Sequence, residues 1–207
     1  MTDTMTSEKT TYHHGDLRAA LVDATRQLIE EKGIDHFSVS DACRRAGVST
    51  AAPYKHFKNK GDMIVAVVLQ SMDRHKHEML EAMTVYPEGS IERIRALGQN
   101  YVGFALREPG MFLLRFGHND GPQLPEIEEA GQDIYDIVQH EVAKVLGEPG
   151  ITNKVRQRSF MLWSFVHGLS MLSMNPEFAE KGGNLDPDLL LQEIGWRVLR
   201  DEVTVPL

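Results

Sequence analysis

Apolar residues recur along this chain at steps of three and four almost from end to end, and no stretch of any length alternates every second position. The pattern predicts an all-α chain. Leu17, Ala20, Leu21, Ala24 and Leu28 form one stripe on a helix predicted over residues 16–32 and closed by Gly33. Ser38 with Asp41 three residues on predicts the start of a short helix, because a serine oxygen can take a free N–H of the first turn. Gly47 stops that helix, and Ser49 is placed to cap the next. Two short helices meeting at Ala46-Gly47-Val48-Ser49 are the sequence sign of a helix-turn-helix.

A longer helix is predicted from Asn59, burying Met63, Ile64, Val67, Met72, Met79 and Met83 and ending before Pro87-Glu88-Gly89. Ser90 caps a helix over residues 91–107, and Glu108-Pro109-Gly110 breaks it. A short apolar piece follows at 111–116, then an irregular loop at 117–122. A helix over 126–146 carries acids at its start, where the dipole favours them. The last two helices are predicted over 152–174 and 187–202. These elements divide into an N-terminal three-helix domain at 1–60, with a disordered arm at 1–11, and a larger helical domain at 61–207. The boundary falls within the helix after Asn59, which would join the two rigidly.

Composition narrows the class. No apolar run approaches the roughly 18 residues of a membrane span, and residues 1–11 are polar, without the apolar stretch of a secretion signal. The single cysteine, Cys43, has no partner for a disulfide and follows the core position Ala42, so it is read as a small core residue in a cytoplasmic protein. The net charge of −8 argues against general coating of nucleic acid. Residues 36–60 run against that balance: Arg44, Arg45, Lys55, Lys58 and Lys60 face the lone acid Asp41. A compact basic patch therefore sits on an acidic chain, although a merely solvated charged face would look the same.

The stretch from Ser38 to Lys60 resembles the DNA-binding region of the TetR (tetracycline-repressor-like) family. Ala-Gly-Val-Ser at 46–49, Tyr54-Lys55-His56-Phe57 and Lys58-Asn59-Lys60 carry the resemblance, and Tyr12-His13-His14-Gly15-Asp16-Leu17-Arg18 is similar to one branch. The resemblance implies a recognition helix entering the major groove of double-stranded DNA. Thr50, Ala51 and Ala52 are small enough for close approach, and Pro53 removes a donor that a first helical turn does not use. Thr50, Ala51 and Lys55 are expected near bases, and Tyr54, His56 and Lys60 on phosphates. Ser40 and Arg44 reach the backbone or a base edge from the preceding helix, and the capping residues Ser38 and Ser49 complete the set. Phe57, Val39, Ala42 and Val48 are expected in the core. Ala51-Ala52-Pro53 and Ala42 depart from the commoner family pattern, which leaves the operator sequence unread.

In the second domain, Trp163-Ser164-Phe165-Val166-His167-Gly168-Leu169 resembles a tryptophan–histidine–glycine motif of one C-terminal branch. Its helix is apolar on two faces and so buried on both. The resemblance implies that one face lines an effector cavity and the other meets a second subunit. Tyr101, Phe104, Met111, Phe112, Phe116, Met161, Trp163 and His167 are soft or aromatic candidates for the cavity, with His167 the polar contact, though plain core packing would use the same residues. Leu162, Val166, Gly168, Leu169, Leu191, Ile194, Gly195 and Val198 are candidates for a homodimer interface, since a glycine inside a helix is offset by close helix approach.

Catalysis and metal binding find no support. His75 and His77 stand two apart and point in different directions, His118 and Asp120 lack a partner motif, and His140-Glu141 lacks the H-E-x-x-H spacing. No enzyme, cofactor or metal is expected. The expected function is a sequence-specific transcriptional regulator, a repressor released from a palindromic operator by a small, largely apolar effector. A helical protein–protein adaptor, an activator or an architectural DNA binder would share the same pattern.

Overall fold

The computed structural model describes residues 14–116, 124–181 and 185–200. The predicted arm at 1–11, the motif residues Tyr12 and His13, the predicted loop at 117–122 and the predicted helical residues 201–202 lie outside the described residues. Among the described residues all regular structure is helical, and no helix is long and apolar enough to cross a membrane. The chain divides into units 1–67 and 68–207, inside helix α3 (Lys60–Thr84) and a little past the predicted boundary.

In the smaller unit α1 (His14–Lys32) buries Leu21, Val22, Ala24, Thr25, Leu28 and Ile29, while Leu17 and Ala20 of the predicted stripe are half-buried. Gly33 ends α1 at φ 81°, a backbone conformation that costs glycine little. A 3₁₀ turn, Ile34–His36, leads to Ser38, whose hydroxyl oxygen accepts the Asp41 N–H at 3.1 Å and caps α2 (Val39–Arg45). Asn59 opens α3 by a reciprocal cap. Its Oδ1 accepts the Asp62 N–H at 2.9 Å, and Asp62 Oδ2 accepts the Lys58 N–H at 3.0 Å.

The second helix of the predicted motif is shorter than the sequence pattern suggests. From Ser49 to Phe57 the chain runs through turns with one 3₁₀ turn, Pro53–Lys55. Proline has no N–H to offer the Ser49 carbonyl four residues back, and its ring crowds that carbonyl. The Ala52 N–H takes the Ser49 carbonyl instead, at 3.0 Å, and the i→i−3 pattern continues from Lys55 to Ala52 and from His56 to Pro53.

In the larger unit α4 (Ile91–Arg107) is the central helix. It packs against α5 (Pro109–Phe116), α6 (Pro125–Leu146), α7 (Asn153–Ser173) and α9 (Pro187–Leu199). Ser90, Thr152 and Asp186 cap α4, α7 and α9 with their side-chain oxygens. A six-residue helix α8 (Pro176–Lys181), too short to leave a periodic signal, follows α7. Gly98 lets α9 approach closely, since a Cβ there would sit 2.9 Å from Leu191 Cδ2. Glu141 is buried but paired, 2.8 Å from Lys144 and 3.4 Å from Arg93.

The face predicted to meet a second subunit turns inward. Leu162, Val166, Leu191, Gly195 and Val198 are buried, and Ile194 packs against the same core. Helix α4 of the same chain covers these stripes of α7 and α9. Periodicity identifies the buried face of a helix but not what buries it. Gly168 and Leu169 remain half-buried, and open space lies in front of Gly168.

Phe112 has no exposed surface and sits among four aromatic rings. Phe112→Ala is expected to destabilise the fold by about 3–5 kcal/mol, read as a fall in the urea midpoint at fixed protein concentration.

Candidate functional sites: an exposed turn and an apolar cavity

The smaller unit presents a cluster of exposed small and polar side chains around the shortened second helix. Ser38, Ser40, Arg44, Ser49, Thr50, Ala51, Tyr54 and Lys55 are exposed, while Ala52 and His56 are half-buried. Pro53 and Phe57 are buried and hold the turn against the core, so Tyr54 between them is left 65% exposed. Val39 and Val48, expected in the core, are half-buried. Cys43 is buried, and burial pushes its thiol pKa up, which keeps it protonated and inert.

The basic residues of this segment have separate fates. Arg45 forms a two-pronged ion pair with Glu31 of α1 at 2.7 and 2.6 Å, and that hydrogen bonding holds the Glu31 carboxyl below its ordinary range. Arg44 pairs with Asp41 of its own helix and stays on the surface. Lys60 turns to the main chain: its ammonium donates to the carbonyls of Phe37 at 3.0 Å and Ile34 at 3.4 Å and lies over the Phe37 ring. Lys55 and Lys58 form no ion pair among the described residues. They are the cations this surface leaves open to an anionic partner.

The larger unit encloses a cavity of about 490 Å³ with walls from α3, α4, α5, α6, α7 and α9. Tyr101, Phe104, Met111, Phe116 and Trp163 of the predicted set line it. Phe112 lies behind the lining, and Met161 is 43% exposed on another face of α7. His167 also stands behind: its Nδ1 is 3.1 Å from the Tyr101 hydroxyl, and its ring stacks on Phe112 at 5.5 Å. A helix that winds 100° per residue puts Met161 and Trp163, two positions apart, on different faces.

The lining also contains polar residues that the sequence reading passed over. His75 is 5% exposed, stacks on Phe104 at 4.6 Å, and neither ring nitrogen has a hydrogen-bond partner. It falls in step with the buried Met72 and Met79 on α3, so the periodicity did signal its burial. Ser71, Arg115, Glu128, Gln132 and Tyr135 add to the polar part of the wall. Arg115 sits on α5, whose eight residues are too few for the pattern to fix an inner face.

Residues 21–67 match the bacterial regulatory proteins of the tetR family, and residues 94–194 match the tetracyclin repressor-like C-terminal domain. The HTH-type transcriptional regulator BetI of Escherichia coli is 31% identical over 86 residues, 41% of this chain and 44% of that protein. The chain thus spans less than half the length of the curated relatives it matches. A protein of unknown function from Rhodococcus sp. RHA1 superposes with a TM-score of 0.76 at 26% identity, covering 93% of this chain and 98% of that one. A TetR-family transcriptional regulator from Streptomyces coelicolor superposes at 0.68 with 21% identity, covering 90% and 96%.

Burial lowers the His75 pKa from the ordinary 6.5 to about 4, with Arg107 adding repulsion. In the unfolded chain this imidazole takes a proton below about pH 6.5, whereas in the fold it stays neutral down to about pH 4. Stability at His75 is therefore full above pH 6.5 and falls as pH drops through that window, by up to about 3 kcal/mol. Burial shifts His167 in the same direction. His75→Phe is expected to flatten the fall in unfolding free energy between pH 7 and pH 4.5, leaving the contribution of His167 in place. An unchanged slope would remove the assignment.

Proposed function

Because the chain belongs to the TetR family of bacterial regulatory proteins, we propose that it is a homodimeric repressor released from a palindromic operator by a small effector. The family makes it a DNA-binding transcriptional regulator. The observation that carries the rest of the reading is the cavity. It is nearly all apolar, and one of its walls is α3, the helix that continues unbroken into the smaller unit. An occupant touching Val68, Met72, His75 or Met79 acts on the same helix that Asn59 caps beside the exposed turn.

Residues 1–60 are assigned to DNA and 61–207 to effector binding and dimerisation. Thr50, Ala51 and Lys55 are the residues we place at bases, and Tyr54 and His56 on phosphate, with Ser38, Ser40, Arg44, Ser49 and Ala52 around them. Exposure of this set, apart from the half-buried Ala52 and His56, supports the reading. Lys60 is assigned a structural role, because its ammonium is already held by two carbonyls. Trp163, His167 and Gly168, which lie within the C-terminal match, are read as the motif of the tryptophan–histidine–glycine branch.

The dimer face is reassigned to the open side of α7. Met161, Ser164, Met171 and Leu172 are exposed there, and Gly168 faces open space between them. Apolar side chains at three- and four-residue steps around a bare glycine suit a close helix–helix contact. In the dimer, two exposed turns about one DNA turn apart would meet the half-sites of a palindrome, and an occupied cavity would favour a spacing that no longer fits.

Selection from random duplex DNA at near-physiological salt is expected to return a palindrome with half-sites about one turn apart. On that site Lys55→Ala is expected to weaken binding roughly tenfold or more and to relax the base preference at the position it contacts. Well-folded protein that recovers no site, or binds without salt dependence, would favour a helical adaptor.

A further inference from the structure

The cavity wall contains a cation with no ion-pair partner among the described residues, Glu128 attracting it only from longer range. Arg115 is half-buried, has no carboxylate within ion-pair distance among the described residues, and its Nε has no hydrogen-bond partner. The other arginines on α3 and α4 are all paired: Arg74 with Glu108, Arg93 with Glu141, Arg95 with Asp188 and Arg107 with Glu78. The guanidinium lies over the Phe116 ring at 5.1 Å. On α6, Gly131 makes room for it, because a Cβ there would run into Arg115 Nη2 and touch the Met72 methyl at 3.7 Å. A guanidinium stays charged in any protein environment, and burying it unpaired is costly. The same wall contains His75, nine-tenths buried and more, one turn along α3 from Met72, with both nitrogens unpartnered. A neutral imidazole offers one donor and one acceptor.

We propose that the cavity takes an amphipathic monocarboxylic acid, its carboxylate on Arg115 and a hydroxyl or carbonyl of its apolar body on His75. The inference rests on the cavity being the effector site. A volume of about 490 Å³ lies within the range of sites for molecules of this size. The apolar body meets Met72, Met79, Leu97 and Phe116. Glu128 also lines the wall and is exposed, but it is not within ion-pair distance of Arg115. It is the residue an amine would choose, so acid against amine is the decisive comparison.

Calorimetric titration of the full chain without DNA tests this, with decanoic acid, its hydroxy-acid analogues, decanol, methyl decanoate and decylamine as probes. Decanoic acid is expected to bind about tenfold or more tighter than decanol, the ester or the amine, the scale of a charge-assisted contact. Arg115→Gln is expected to abolish that preference, and Arg115→Lys to keep part of it, which covers a folding defect in the first variant. At least one hydroxy acid is expected to bind tighter than decanoic acid, and His75→Phe to remove that gain while leaving decanoic acid unaffected. Tighter binding of the amine than of the acid, equal binding of all probes, or an acid preference that survives Arg115→Gln would overturn the proposal. A parallel operator-binding assay separates the two readings: decanoic acid bound through Arg115 without any change in operator affinity upholds this proposal and sinks effector release.

Discussion

Phe112 has no contact with solvent, and the rings of Tyr101, Phe104, Phe116 and His167 stand 5.0–6.1 Å from its own. Rings are large and stiff, and they pack edge to face or offset at such distances without closing every gap. This layer draws α4, α5 and α7 together on one side of the cavity. On the other side α3 is tied down by ion pairs, Arg74 to Glu108 at 2.6 Å, Glu78 to Arg107 at 2.6 Å and Lys76 to Asp133 at 2.7 Å. Walls held from behind do not collapse into the space between them. The soft side chains in that space, Met72, Met79 and Met111, can instead adjust to an occupant.

Two histidines in this layer differ in satisfaction rather than in burial alone. His167 has the Tyr101 hydroxyl, and burial pushes that hydroxyl's pKa up, so it keeps its proton. His75 faces Tyr101 edge-on and Phe104 face-on, with no polar atom in reach. A buried donor or acceptor without a partner costs about 1–3 kcal/mol. The fold tolerates that cost at His75 and the loss of hydration at Arg115, and both sites border the same space. An occupant that satisfies them recovers what the empty fold gives up, so the polar gain can be selective although most of the wall is apolar.

What the sequence disclosed follows the range of each signal. Caps act within one turn, so Ser38 and Ser90 mark real helix starts, whereas Ser49, also read as a cap, opens no α-helix because Pro53 turns the segment to a 3₁₀ pattern. Helical periodicity acts over many residues, so the long helices and the methionine stripe of α3 were legible, His75 within it. The Pro53 turn was misjudged because one missing N–H changes a nine-residue segment more than a long helix. The faces of α7 and α9 were recognised as buried but assigned to a second subunit, because a stripe does not record whether its cover comes from the same chain. Arg115 gave no signal: its guanidinium sits against Gly131 of α6, a contact between helices that no periodicity records.

The energetics of a switch can be set against these contacts. Moving a two-state equilibrium from one extreme to the other needs about 5.5 kcal/mol of differential binding. Of the proposed contacts, the hydrogen bond at His75 would supply about 0.5–1.5 kcal/mol of that, and the charge-assisted one at Arg115 of α5 counts only to the extent that it differs between the states. Apolar burial supplies the remainder only to the extent that it differs between the states. Met72, His75 and Met79 lie on α3, whose first residues belong to the smaller unit. Contacts on that helix are therefore the ones able to differ, whereas contacts confined to α4 and α7 would add affinity to both states and shift nothing. In the proposed mechanism a polar anchor on α3 would thus have more to do with release than the larger apolar surface facing it.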